Sequence, residues 1–266
     1  MELLRVVKHR SLVSELVYVL LNVGLAVTIL LVVWAVESPL PAFILILLSK
    51  WRIFAVRPRY WLAHVQANLV DLIVSISLVV LLYSAGSAGG EQGVMLQVAI
   101  AVLYVIWLLA LKPRSKRSFV VAQAGVALFV GTMALFSAAY EWPSSAVVVA
   151  MWLLGYAAAR HVLSAYSETS ATFLSLAWGF VIAQIGWISY HWAIAYSLPL
   201  IEGIRLPQAS IIVIALSFAA ERVYASYAKH GSVKAADILL PVLLSVSVIA
   251  ILVLFFNAEH LSVSSV

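Results

Sequence analysis

Three observations predict an all-α integral membrane protein of about nine transmembrane helices. They are an extreme apolar composition, a series of apolar runs of bilayer length, and cations gathered on one side of those runs. Of 266 residues, 65% are hydrophobic and 10% charged, where soluble domains carry about a quarter charged residues. Such a chain has too little polar surface to cover itself in water. Helices suit lipid because they satisfy every backbone group internally. The absence of cysteine excludes disulfides and thiolate metal sites. The run after the basic N-terminus is too long for a signal peptide and lacks a small-residue cleavage site, so it reads as a first span.

A spanning helix needs roughly 20 apolar residues. The runs that approach this length lie at 14–36, 40–56, 62–84, 94–111, 118–139, 145–163, 171–194, 208–228 and 236–257. Turn chemistry separates them, as in "ESPLP" (37–41), "EWPSS" (141–145) and "KHGS" (229–232). Residues 1–266 read as a single polytopic domain. The second run is the shortest, and charge decides whether it crosses. With nine crossings and the N-terminus inside, fifteen of the sixteen Lys and Arg residues face inward and only Arg205 faces out. This places the N-terminus in the cytoplasm and the C-terminus outside, in a plasma (inner) membrane.

"SKWRIFAVRPRYW" (49–61) then sits between a descending and an ascending helix. Pro58 cannot continue the first of these. Trp51, Tyr60 and Trp61 suit an interfacial aromatic belt, with Lys50 and Arg52 reaching to headgroups. "SKWRIFAV" (49–56), "AAARHVLS" (157–164) and "AAERVYAS" (219–226) align on Arg52, Arg160 and Arg222. The alignment suggests one leading helix followed by four helical hairpins, 40–84, 94–139, 145–194 and 208–257, related as a parallel internal repeat.

Asp71 is the first candidate site residue, because a carboxylate inside a span is costly and tends to be functional. His64, Asn68 and Asp71 share one helix face at i, i+4, i+7, with Gln66 pointing elsewhere. The stripe can line a polar cavity, in which case Asp71→Asn abolishes binding and spares the fold. It can equally lock helices together, with Asp71 paired to Arg160 or Arg222. Arg52, Arg160 and Arg222, if they converge, would grip phosphate, most simply that of anionic lipid headgroups. Glu221 beside Arg222, with Tyr224 and Tyr227, reads as a local counter-charge. "QIGWISYHW" (184–192) reads as an outer aromatic belt.

No phosphate loop, HExxH or G-x-S-x-G is present. The six histidines never fall at i, i+3 or i+4, so no helix-borne metal pair is expected. No catalytic residue, metal or cofactor is assigned, and the short juxtamembrane basic segments argue against nucleic acid. The leading expectation is a bundle that binds or transports a small molecule or lipid. The alternative is a structural or assembly subunit, with a membrane-protein partner or a second copy. A third reading, an interfacial lipid-modifying enzyme with His64 or Asp71 as base, has no motif behind it.

Overall fold

The computed structural model describes residues 12–51, 55–87, 89–139, 141–192, 194–198 and 201–255. In chain order these form α1 (Leu12–Val36), α2 (Leu40–Ser49), a 3-10 turn (Pro58–Tyr60), α3 (Trp61–Gly86) and α4 (Gly90–Ile106), which runs into a π-helical turn (Trp107–Leu111). Then follow α5 (Arg117–Ala138), α6 (Ser144–Ala165), α7 (Ala171–His191), the strands β1 (Ala195–Leu198) and β2 (Ile201–Pro207), α8 (Gln208–His230) and α9 (Ala235–Phe255). Eight of these helices are long and apolar enough to cross a membrane. The chain is therefore a multi-pass, all-α membrane protein.

Prolines and a glycine punctuate the helices. Pro39, Pro143 and Pro207 precede α2, α6 and α8, where a missing N–H costs nothing. Gly231 closes α8 at φ 70°, its N–H bonded to Tyr227 O at 2.8 Å. This left-handed cap favours glycine.

Two expectations require correction. The second span, drawn at 40–56, has its α-helix over Leu40–Ser49, with residues 52–54 outside the described residues. Ten residues rise roughly 15 Å, about half a bilayer core. The helix stops because Lys50 closes the last turn on Ile46 O and Leu47 O and turns its side chain into the bundle. The segment between α7 and α8, read as an outer loop, contains the antiparallel hairpin β1–β2. Its Ile204 is buried in the core shared by α1 to α5.

The bundle has a recognisable basic end, defined by bonds between helix termini. Tyr18 near the start of α1 meets Leu108 near the end of α4. Gln123 at the start of α5 meets Leu111, and His161 near the end of α6 meets Gln123. Arg160 of α6 meets Thr172 at the start of α7. Tyr166, just past α6, meets Glu221 near the end of α8.

Two apolar clusters fill the interior, one from α1 to α5 with β2 and one from α5 to α8. At the centre, 56% of the most apolar stretch of α3 and of α5 is buried, against 6% for α9. The exposed apolar faces of α1 and α9 are what a helix shows to lipid.

The α6–α7 hairpin packs most closely, through small residues, as helices do where lipid offers no hydrophobic drive for association. A Cβ on Gly155 would lie 2.7 Å from Ile182, and one on Gly179 would lie 2.9 Å from the Trp152 carbonyl oxygen. That second neighbour is backbone and cannot step aside. Gly179→Ala is therefore expected to destabilise the protein by about 1–3 kcal/mol, read by reversible unfolding in mixed micelles. Unchanged stability would contradict this packing.

Candidate functional site

Asp71 lies ten residues into α3 and is buried, 8% exposed. Its carboxylate collects three donors from two neighbouring segments. Lys50 Nζ, from the tip of α2, donates to Oδ2. Lys112 Nζ lies 2.9 Å from the same oxygen, and Trp107 Nε1 donates to Oδ1 at 3.2 Å. One turn further, Ser75 Oγ donates to Asp71 O at 2.7 Å and accepts from the Tyr104 hydroxyl at 3.1 Å.

The π-helical turn explains how Trp107 and Lys112 reach one carboxylate. Five residues of α-helix rotate about 500°, leaving the two side chains roughly 140° apart. The wider i→i+5 turn, closed by Lys112 N to Trp107 O at 2.9 Å, brings them back toward one face. It also frees carbonyls that neighbours must satisfy. Tyr18 bonds Leu108 O at 3.1 Å. Gln123 Nε2 bonds Leu111 O at 2.6 Å and Arg114 O at 2.9 Å.

The structure separates the residues that the sequence grouped. Asn68 Nδ2 bonds back to His64 O at 2.8 Å, and His64 is exposed. Neither shares the partners of Asp71. Gln66 points elsewhere, as expected, and donates to the Tyr156 hydroxyl of α6. Among the described residues Asp71 pairs with Lys50 and Lys112, not with Arg160 or Arg222. Arg160 Nη1 donates to Thr172 at 2.8 Å. Arg222 is exposed, 3.5 Å from Glu221 Oε2 and over the Phe218 ring. Arg52 lies outside the described residues.

A cavity of about 390 Å³ lies elsewhere, in the basic-end half of α5, α6, α7 and α8. Gly125, Leu128, Ala158, Trp178, Phe218 and Tyr224 are among its walls. A Cβ on Gly125 would meet nothing within 4 Å, which marks real empty space on the α5 side. Three residues with polar side chains line it, Ser217, Glu221 and Tyr224, and of these Ser217 Oγ and Glu221 Oε2 are buried and without a hydrogen-bond partner. The Arg222 contact at 3.5 Å is an ion pair without hydrogen-bond geometry.

A reciprocal clasp closes the basic end beside this cavity. Tyr166 donates to Glu221 Oε1 at 2.8 Å, while Tyr224 donates to Glu168 Oε2. The two rings meet edge to face at 5.0 Å, and Arg117 sits 4.2 Å over the Tyr166 ring. Burial and the Glu221 carboxylate hold the Tyr166 hydroxyl up at about 12, so it remains a donor. The Tyr224 hydroxyl and the Ser170 N–H hold Glu168 below the usual carboxylate range.

Sequence reasoning missed the cavity, Tyr166 and Glu168, and assigned Glu221 only a counter-charge role. A signal existed in small residues on three helices at the same depth: "AQAG" (122–125), "AAA" (157–159) and "AA" (219–220). Compared with protein-family models, curated proteins and solved structures, the chain matches none.

Breaking a buried pair strands a charge and costs about 3–5 kcal/mol. Asp71→Asn is accordingly expected to lose stability by about that much, rather than to spare the fold. In a double-mutant cycle with Lys50→Met, the coupling should reach roughly 1–3 kcal/mol. Additive effects in micelle unfolding would show that Lys50 and Asp71 do not interact.

Proposed function

We propose that this protein is a binding or carrier bundle for a small apolar molecule or lipid, held in the cavity among α5, α6, α7 and α8. The observation that carries the reading is that cavity. Its volume falls within the range of ligand sites, about 300–1,000 Å³, and its walls are almost wholly apolar. Four close-packed helices in lipid could have met with larger side chains, yet Gly125 and Ala158 leave the space open. On this reading Asp71 is the lock that fixes α2, α3 and α4, and it leaves the ligand to the other half of the bundle.

The basic end faces the cytoplasm of an inner membrane, where the cation bias would place it. There Arg160, Arg222, Arg52 and their neighbours meet anionic headgroups. A crossing between α1 and α3 is supported by geometry. Tyr18 near the start of α1 and Asp71, in the first half of α3, both reach the end of α4, so α1 and α3 run the same way and the chain returns between them. Nine crossings, with the C-terminus outside, follow.

An assembly subunit is the second reading, favoured by α9, which packs mainly on α8 and buries 6% of its most apolar stretch. A stoichiometric membrane partner in a pull-down would support it.

Gly125 lines the cavity and has open space at its Cβ, so Gly125→Leu puts side-chain volume there and replaces a helix-interior glycine with a better helix former. Wild-type protein purified in detergent should retain an organic molecule at up to one per chain in solvent extracts, and Gly125→Leu should lose it while remaining folded. Identical extracts from the two proteins would contradict the proposal.

A further inference from the structure

Resting on the cavity as a binding site, we propose that its occupant is a single-chain amphiphile whose head donates a hydrogen bond, a hydroxyl or an ammonium, to Glu221.

The polar chemistry of the cavity selects that head. An ionised carboxylate only accepts hydrogen bonds. One oxygen of Glu221 is already taken by the Tyr166 hydroxyl, and the other, Oε2, is buried without a hydrogen bond. Tyr224 also lines the cavity, but its hydroxyl is given to Glu168. The polar groups that remain are thus Glu221 Oε2, which has the Arg222 ion pair at 3.5 Å but no hydrogen bond, and the Ser217 hydroxyl. They stand one turn apart on α8, at i and i+4, and so share a face. A buried acceptor left unmade is costly. A donor placed between these oxygens recovers that cost, whereas a carboxylate or phosphate head would set like charges together.

The position of these groups orients the chain. Glu221 lies toward the basic end of α8, and Ile214, seven residues deeper, also lines the cavity. The head therefore sits near the basic end and the chain points roughly 10 Å toward the middle of the bundle, against Leu128, Ile214 and Trp178. Entry is from the side. α8 packs chiefly on α9 and α5, and α7 on α6, while α7 and α8 meet sparsely. That seam is the route by which a lipid-soluble molecule would arrive without crossing water.

The test is equilibrium binding of radiolabelled 1-dodecanol, dodecylamine and dodecanoate to the full chain in nanodiscs, with empty nanodiscs subtracted. The alcohol and amine should saturate one site per chain and bind about tenfold more tightly than the carboxylate, the worth of one charge-assisted hydrogen bond. Ser217→Ala and Glu221→Gln should each shrink that preference. Tyr166→Phe, which cuts the clasp and leaves Oε2 in place, should keep it. Gly125→Leu should abolish all three. Two results overturn the head group but keep the cavity: equal binding of the three probes, or a preference indifferent to both Ser217→Ala and Glu221→Gln, with Gly125→Leu still silent. No saturable binding to wild type, or full binding to Gly125→Leu, overturns the cavity as a site as well.

Discussion

A polar atom inside an apolar bundle must find its partner within the protein, because lipid offers none. This constraint organises the molecule. It forces Lys50, at the tip of a helix too short to cross, onto Asp71. It draws Lys112 and Trp107 to the same carboxylate through a π-helical turn. Carbonyls in and just after that turn are then met by Tyr18 from α1 and Gln123 from α5. One buried charge thereby fixes the relative placement of α2, α3 and α4, and its consequences extend to α1, α5 and, through His161, α6.

The same constraint gives meaning to the exceptions. Among the described residues, Ser217 Oγ and Glu221 Oε2 are buried and make no hydrogen bond, and both residues line the cavity among α5, α6, α7 and α8. The surrounding structure is not loose. Tyr166, Tyr224, Glu168 and Arg117 form a closed clasp immediately beside them. A bundle that satisfies a carboxylate so thoroughly at Asp71 and leaves another half-satisfied at Glu221 treats the two differently. The first holds helices together. On the proposed reading, the second meets the head of a ligand.

How far the sequence reveals this depends on range. Composition and apolar length reveal membrane helices, because both are properties of one segment at a time. Proline and glycine mark their ends for the same reason, as at Pro143, Pro207 and Gly231. Asp71 stood out as a charge in an apolar run. Its partners did not, since Lys50 and Lys112 looked like ordinary interfacial cations, and only the shortness of α2 and the π-turn of α4 bring them inward. The i, i+4, i+7 stripe from His64 to Asp71 is real as a helix face. It fails as a site because His64 is exposed and Asn68 bonds back to its own helix, so Asp71 alone of the three meets Lys50, Lys112 and Trp107, and no single helix encodes that. The cavity is less visible still. It is made by what four helices lack, and missing volume shows only after they are packed.

The most direct measurement is a cryo-electron microscopy map of the protein in lipid nanodiscs, with a rigid antibody fragment bound for size. The account predicts elongated density among α5, α6, α7 and α8, with one end within about 3 Å of Glu221 Oε2, and Asp71 held by Lys50 and Lys112. A collapsed cavity with Glu221 Oε2 hydrogen-bonded to the protein's own side chains would contradict it.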